Sequence, residues 1–152
     1  MKMKPKIAFF INRLIIGGAE KGLRLLIEKM KDQYEIHLVL KIKHSNLPEL
    51  VPSLNEITVF YLTESESRSV GNFFLMPFHA LQYKRYLEKN EIPVSYSLLT
   101  RPNLTAAFTR ILGWRGKIIM SERTTPIGFY GIAGLSGKII LKMNSKSLIS
   151  AS

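Results

Sequence analysis

Residues 6–30 decide the fold of this chain, and they read KIAFFINRLIIGGAEKGLRLLIEKM. Residues 7–11 form an apolar run that is short enough for a buried strand. A loop that ends in the pair Gly17 and Gly18 follows, and from Ala19 onward the apolar residues recur at helical spacing. Residues 35–41 alternate between apolar and polar types, which predicts a second strand. A strand, a helix and a strand in this order predict a parallel pair with a right-handed crossover.

The rest of the chain repeats this alternation of strands and helices. Apolar runs predict further strands at residues 57–62, 94–99 and 117–120, and the start of a sixth at 147–151. Helical spacing predicts helices at residues 47–54, 71–90, 103–112 and 138–144. The sequence therefore predicts an α/β fold, a Rossmann-like doubly wound parallel sheet, as a single domain over residues 1–152.

The composition excludes several classes of protein. The chain has 152 residues and no cysteine, so it fits one domain and cannot hold disulfides or thiolate metal sites. The longest stretches without charged side chains, 69–83 and 124–137, are shorter than the ~20 residues of a membrane-spanning helix. Asn12 and Arg13 interrupt the N-terminal apolar run, which favours a strand over a signal peptide. A cytoplasmic protein is expected.

The net charge of +11 is unevenly distributed along the chain. Residues 101–152 carry eight basic side chains and one acidic side chain, whereas residues 1–100 carry fourteen basic and ten acidic ones. This surplus favours an anionic partner, and nucleic acid, anionic lipid and phosphorylated small molecules all satisfy it.

Three polar clusters follow predicted strands: residues 12–21 (NRLIIGGAEK), 99–103 (LTRPN) and 121–126 (SERTTP). In open parallel sheets, ligands bind outside the carboxyl ends of the strands, so these clusters define a candidate site. The Gly17–Gly18 pair allows a ligand to approach the backbone closely, and the helix that follows presents free N–H groups to an anion. The alternative is a tight turn without a ligand. Neither a GxGxxG fingerprint nor a P-loop is present.

The charged residues of the later clusters also have two interpretations. Arg101 and Arg123 can bind a phosphate or carboxylate through two parallel hydrogen bonds, or they can pair with an acid such as Glu20 or Glu122. Glu122 is the candidate catalytic residue, as a general base or as a group that holds sugar hydroxyls, and its alternative role is to pair with an arginine. The histidines, at positions 37, 44 and 79, lack zinc-ligand spacing, so no metal site is expected.

Residues 68–89 predict a second type of surface. This segment has no acidic residue before Glu88 and carries aromatic side chains that are more often core than stacking groups for nucleic acid. On a helix, Phe74, Phe78, Leu81 and Arg85 share one face, part of which is expected to cover the sheet. The alternative to this core role is reversible attachment to an anionic membrane.

Read together, these clusters resemble the N-terminal domain of family 4 GT-B glycosyltransferases. Residues 6–30 resemble its first strand, GGAE turn and long amphipathic helix, KIIMSERTTP (117–126) resembles a later strand and loop, and SLISAS (147–152) resembles a small-residue strand. Many members have a histidine after the strand equivalent to residues 117–120, where this chain has Ser121 and Glu122.

The resemblance implies the N-terminal, acceptor-side half of a retaining transferase that moves a sugar from a nucleotide-sugar to a glycan or lipid-linked acceptor without metal or cofactor. The C-terminal donor domain is absent from these 152 residues, so a missing domain or partner subunit and no activity alone are expected. The alternative is a basic Rossmann-like module that binds nucleic acid or anionic lipid. The resemblance places Gly17 and Gly18 at the donor phosphate. It places seven residues around the acceptor: Arg13, Glu20, Lys21, Arg101, Asn103, Glu122 and Arg123.

Overall fold

The computed structural model describes residues 3–14, 17–42, 54–63 and 75–122. These residues form five strands, three α-helices and one turn of 3-10 helix at Leu54–Glu56. The strands are β1 (Lys6–Ile11), β2 (Glu35–Ile42), β3 (Thr58–Thr63), β4 (Val94–Leu98) and β5 (Lys117–Ser121). The helices are α1 (Gly18–Met30), α2 (Met76–Lys89) and α3 (Thr100–Ile111).

The five strands form one parallel sheet in the order β3-β2-β1-β4-β5. The apolar first strand lies at its centre, where Phe9 is level with Leu38 of β2 and Tyr96 of β4. The strand order reverses at β1, so the connections leave the sheet in opposite directions from this strand. Such a switch point is the place where doubly wound sheets bind their ligands.

Helices cover both faces of the sheet. Alternate residues of β1, such as Phe9, pack with Leu23 and Ile27 of α1 on one face. The intervening residues, such as Phe10, pack with Tyr83 of α2 on the other face. Helix α3 packs beside α2, and the hydroxyl of Thr109 donates a hydrogen bond to the Ala80 carbonyl at 3.3 Å. The sheet is therefore the middle of three layers.

Three buried or half-buried polar side chains on the α2 face, Tyr83, His37 and Tyr86, are hydrogen-bonded. The hydroxyls of Tyr83 and Ser95 lie 2.7 Å apart, and burial raises the pKa of Tyr83. The His37 ring contacts the Tyr86 hydroxyl through Nδ1 at 2.8 Å, and burial raises the pKa of Tyr86 to about 12. These contacts fix the rotation of α2 relative to β2, because an unsatisfied buried polar group would cost ~1–3 kcal/mol.

The sequence predicted the order and type of the five strands and three α-helices correctly, and the predicted strand bounds differ from the observed bounds by at most one residue. The prediction was wrong for the start of α3, which begins at Thr100 rather than at residue 103. Pro102 suits the first turn of a helix because the N–H that it lacks would have no partner there. Four predicted segments lie outside the described residues: most of the helix at 47–54, the start of the helix at 71–90, the helix at 138–144 and the strand at 147–151.

A further correction concerns the outer face of α2. Its buried residues are Met76, His79, Ala80, Tyr83 and Leu87. Phe78 is 56% exposed and Arg85 is exposed, so these two positions of the predicted face do not cover the sheet. Tyr83, by contrast, is core as predicted. His79 and Tyr83, whose rings carry polar atoms, point inward instead, although an apolar periodicity alone would favour Phe78.

Candidate functional site at the carboxyl edge of the sheet

The predicted polar clusters converge at the edge where the parallel strands end. Asn12 follows β1, the start of α3 follows β4, and Ser121 ends β5. The Asn12 carbonyl accepts a hydrogen bond from the Ile42 N–H at 3.0 Å, which joins the ends of β1 and β2. Because β1, β4 and β5 are consecutive in the sheet, the residues after them share one surface.

The two glycines of the GGAE turn have different surroundings. Gly17 is the N-cap of α1 in an extended conformation, and the carboxylate of Glu20 occupies the space that a Cβ there would need. A Cβ on Gly18 would meet no atom within 4 Å. Glu20 is buried and lies in the first turn of α1, where a negative charge suits the positive end of the helix dipole. Open space for a ligand therefore lies at Gly18, not at Gly17.

Asn103 links the ends of β4 and β5. Its Oδ1 accepts a hydrogen bond from the Ser97 hydroxyl at 2.8 Å, and its Nδ2 donates to the Ser121 carbonyl at 3.2 Å. The Leu99 N–H donates to the same Ser121 carbonyl at 2.9 Å. Asn103 is buried, so its amide holds the framework of the site together.

Leu99, between β4 and α3, has a strained backbone. Its φ of 72° and ψ of 161° lie in a region that side chains other than glycine rarely adopt. Strain of this kind costs ~1–3 kcal/mol and is concentrated at functional sites. The sharp turn lets α3 begin directly after β4, and it places Arg101 at the carboxyl edge.

The predicted basic residues of the site are accessible. Arg13, Lys21 and Arg101 are all exposed and lie at the start of the loop after β1, in α1 and in α3. Glu122 is half-buried and directly follows β5. Arg123 lies outside the described residues. The sheet thus brings the β1, β4 and β5 ends to one edge, with the exposed cations distributed around it.

Two buried basic residues of this edge were missed from the sequence. Lys41 lies near the end of β2 and His79 lies in the first half of α2. Burial lowers the pKa of Lys41, and the charge of Arg101 lowers it further. Burial also lowers the pKa of His79, as does the charge of Lys41. The sequence did contain a signal for Lys41. The inner strands of a doubly wound sheet are buried on both faces, so a lysine within such a strand is expected to be buried.

Within the described ranges, no group of three or more His, Cys, Asp or Glu side chains is arranged to hold a metal ion. Among these same residues, no helix is long and apolar enough to cross a membrane.

Solved glycosyltransferase structures share this fold. Sucrose-phosphate synthase from Thermosynechococcus elongatus matches with a TM-score of 0.66 and 12% identity, over 92% of this chain and 40% of that chain. A lipopolysaccharide outer core galactosyltransferase matches with a TM-score of 0.60 and 16% identity, over 76% of this chain and 32% of that chain. Both are GT-B glycosyltransferases, so the chain has the Rossmann-like fold of one half of a GT-B protein.

Sequence comparison points to one particular relative. The chain is 30% identical over 128 residues to the N-acetylgalactosamine-N,N'-diacetylbacillosaminyl-diphospho-undecaprenol 4-alpha-N-acetylgalactosaminyltransferase of Campylobacter jejuni. The match covers 82% of this chain and 33% of that protein, so the chain spans about a third of the length of this curated relative. No family model matches the chain. The chain is thus homologous to part of a glycosyltransferase.

Proposed function

We propose that this chain is the acceptor-side domain of a retaining glycosyltransferase. The reaction would move a sugar from a nucleotide-sugar to a glycan or lipid-linked acceptor, without a cofactor. The 128-residue match to a transferase whose name specifies a diphospho-undecaprenol acceptor carries this proposal. The positions of the exposed basic residues at the carboxyl edge support it, because both substrate classes contain phosphate.

The proposed roles follow from the surroundings of each residue. Gly18 is the point at which the donor phosphate approaches the N-terminus of α1, because a Cβ there would project into open space. Arg13, Lys21 and Arg101 contribute positive charge around the acceptor, and Glu122 is the candidate catalytic residue. We propose that Asn103 acts by holding the ends of β4 and β5 rather than by direct contact with the acceptor.

Replacing Gly18 with valine tests the phosphate assignment. Gly18→Val should lower donor affinity about tenfold or more, because a branched side chain blocks N–H donation to a charged group, a bond worth ~1.5–3 kcal/mol. The melting temperature should change little, since no atom lies within 4 Å of the position that the new Cβ would take. Donor affinity is measured by calorimetry in a reconstituted enzyme that joins this chain to a donor-binding domain.

Lys29→Gln is a matched control, because Lys29 is exposed in the last turn of the same helix. It should leave donor affinity unchanged. Normal affinity in Gly18→Val would show that the donor phosphate does not approach this turn.

The same proposal includes reversible attachment to an anionic membrane at the outer face of α2. Phe78 is exposed there, together with Arg85 and Lys89. Each basic residue close to an anionic surface contributes ~1 kcal/mol, so a few of them hold a domain weakly. A lipid-linked acceptor would require the enzyme to work at such a surface.

Sedimentation with liposomes measures this attachment. The chain should sediment with vesicles that contain anionic lipid, remain in solution with purely zwitterionic vesicles, and be released as the salt concentration rises. Phe78→Ser with Arg85→Gln should reduce sedimentation severalfold. Equal binding to both vesicle types, or none at low salt, would contradict the membrane proposal.

A further inference from the structure

Three basic side chains from three elements meet on the α2 side of the carboxyl edge, and we call them the basic cluster: Lys41, His79 and Arg101. Along β2, His37 and Val39 face α2, because the His37 ring contacts Tyr86 at 2.8 Å and Val39 packs in the same core as Tyr83. Strand alternation gives Lys41 this same face. Residue 41 lies ~13 Å beyond residue 37 along the strand.

Helix α2 runs in the opposite direction to β2 over this face. Tyr86 is level with His37, so His79 lies ~10 Å farther toward the carboxyl edge, which is close to the level of Lys41. The electrostatic effect of Lys41 on His79, and that of Arg101 on Lys41, independently indicate the same proximity. Arg101 approaches from the start of α3, whose first turn lies at this edge.

Two members of the cluster, Lys41 and His79, are buried. Lys41 is 9% exposed and His79 is 6% exposed, whereas Arg101 is open to solvent. Among residues 3–14, 17–42, 54–63 and 75–122, neither the Lys41 ammonium nor the His79 ring has a hydrogen bond or an ion pair. Burial destabilises the positive charge of Lys41, so binding of an anion at the cluster would be favourable.

On β2, α2 and α3, which carry the cluster, acidic residues lie at the far ends or are absent, whereas Glu122 follows β5 at the same edge of the sheet. Glu35 begins β2, Glu88 is in the last turn of α2, and α3 contains no acidic residue. Apolar side chains, in contrast, lie next to the cluster. Leu75 is 50% exposed and Phe78 is 56% exposed at the start of α2. The combination of buried cations and exposed hydrocarbon matches an amphiphile with a phosphorylated head.

We propose that the basic cluster binds the diphosphate of an isoprenoid-linked acceptor, and that Leu75 and Phe78 contact the first part of its hydrocarbon chain. This inference rests on the proposed function for the identity of the acceptor. Lys41 and His79 donate to the diphosphate from the interior and Arg101 donates from the surface, so one ligand satisfies all three groups. The nucleotide-sugar also contains a diphosphate, and the Gly18 turn is assigned to it.

Calorimetric titration of the 152-residue chain tests the assignment with small water-soluble probes. Geranyl diphosphate should bind, geraniol should not, and inorganic pyrophosphate should bind more weakly because it lacks the hydrocarbon. Lys41→Gln and Arg101→Gln should each weaken geranyl diphosphate about tenfold. Phe78→Ala should weaken geranyl diphosphate but leave pyrophosphate unchanged. Lys29→Gln, which removes an exposed charge from the last turn of α1, is the matched control and should change neither affinity.

Proton uptake provides a readout that a merely structural role would not affect. Burial and the charge of Lys41 lower the pKa of His79 in the free protein, so a bound anion should raise this pKa and cause uptake of a proton from solution. Titration in buffers of different ionisation enthalpy should detect this proton, and His79→Gln should abolish it. Arg101 is exposed, so Arg101→Gln remains informative even where a core variant fails to fold.

Three outcomes would overturn the inference: unchanged affinity in Lys41→Gln and Arg101→Gln, binding of geraniol equal to that of geranyl diphosphate, or tighter Lys41-dependent binding of a nucleoside diphosphate. The last outcome would place the donor at this cluster. Failure of the proposed function is distinguishable, because a reconstituted enzyme that transfers no sugar would leave cluster-dependent binding of geranyl diphosphate intact.

Discussion

The 152-residue polypeptide should transfer no sugar by itself, even when donor and lipid-linked acceptor are both supplied. It spans about a third of the Campylobacter jejuni relative, and in the GT-B architecture that it resembles a second domain holds the nucleotide-sugar. Transfer requires both substrates in a near-attack geometry, which can supply ~7–11 kcal/mol of the barrier reduction. Without that geometry, the rate should fall to background.

The measurement is transfer of radiolabelled sugar from a nucleotide-sugar to an isoprenoid-linked acceptor. The positive control is the same assay after the chain has been joined to a GT-B donor domain. Turnover by the purified 152-residue polypeptide above that of a heat-treated sample would contradict this prediction, and it would mean that the described edge holds both substrates.

Asn103→Leu should be among the most destabilising substitutions at the edge of the sheet. Leucine has a similar volume but no polar atoms, so it leaves the Ser97 hydroxyl and the Ser121 carbonyl without the partner that Asn103 provides. The Ser97 hydroxyl left unsatisfied costs ~1–3 kcal/mol, and the lost bond to the Ser121 carbonyl, which keeps its bond from the Leu99 N–H, costs ~0.5–1.5 kcal/mol, so a loss of ~2–4 kcal/mol in the free energy of unfolding is expected. Urea denaturation of the chain measures it, as a lower midpoint with an unchanged slope.

Ser97→Ala is the graded control, because it removes the bond to Oδ1 and leaves the bond from Nδ2 to Ser121 in place. It should cost ~1 kcal/mol. Equal losses in the two variants would mean that the bond to Ser121 contributes nothing to the link between β4 and β5.

Most of the fold could be predicted because each strand is either an apolar run, such as β1, or an alternation of apolar and polar residues, such as β2, and each helix has one apolar face. The start of α3 could not, because the polar string LTRPN is typical of a loop. Its helical state depends on the strained turn at Leu99 and on the buried amide of Asn103. Both depend on tertiary contacts with β5, and local helix propensity does not reflect such contacts.

The site was predicted unevenly for a similar reason. The cluster at residues 12–21 was recognisable from its glycine pair and its position after β1. Lys41 resembled a solvent-facing residue because the alternation of Ile36, Leu38 and Leu40 accounted for one face of β2 alone. The second face of β2, which α2 covers, brings Lys41 close to His79, and the sequence pattern of β2 alone did not indicate that this face is buried.

The central position of β1 has a consequence for synthesis on the ribosome. Phe9 is level with Leu38 on one side and Tyr96 on the other, and the second partner lies three times as far along the chain. Strand β1 is synthesised first but cannot pair with β4 until much of the chain has been made. Until then, one edge of β1 leaves its backbone N–H and C=O groups open to other chains. Nascent chains that stop before β4 should consequently depend on chaperones more than chains that stop after it.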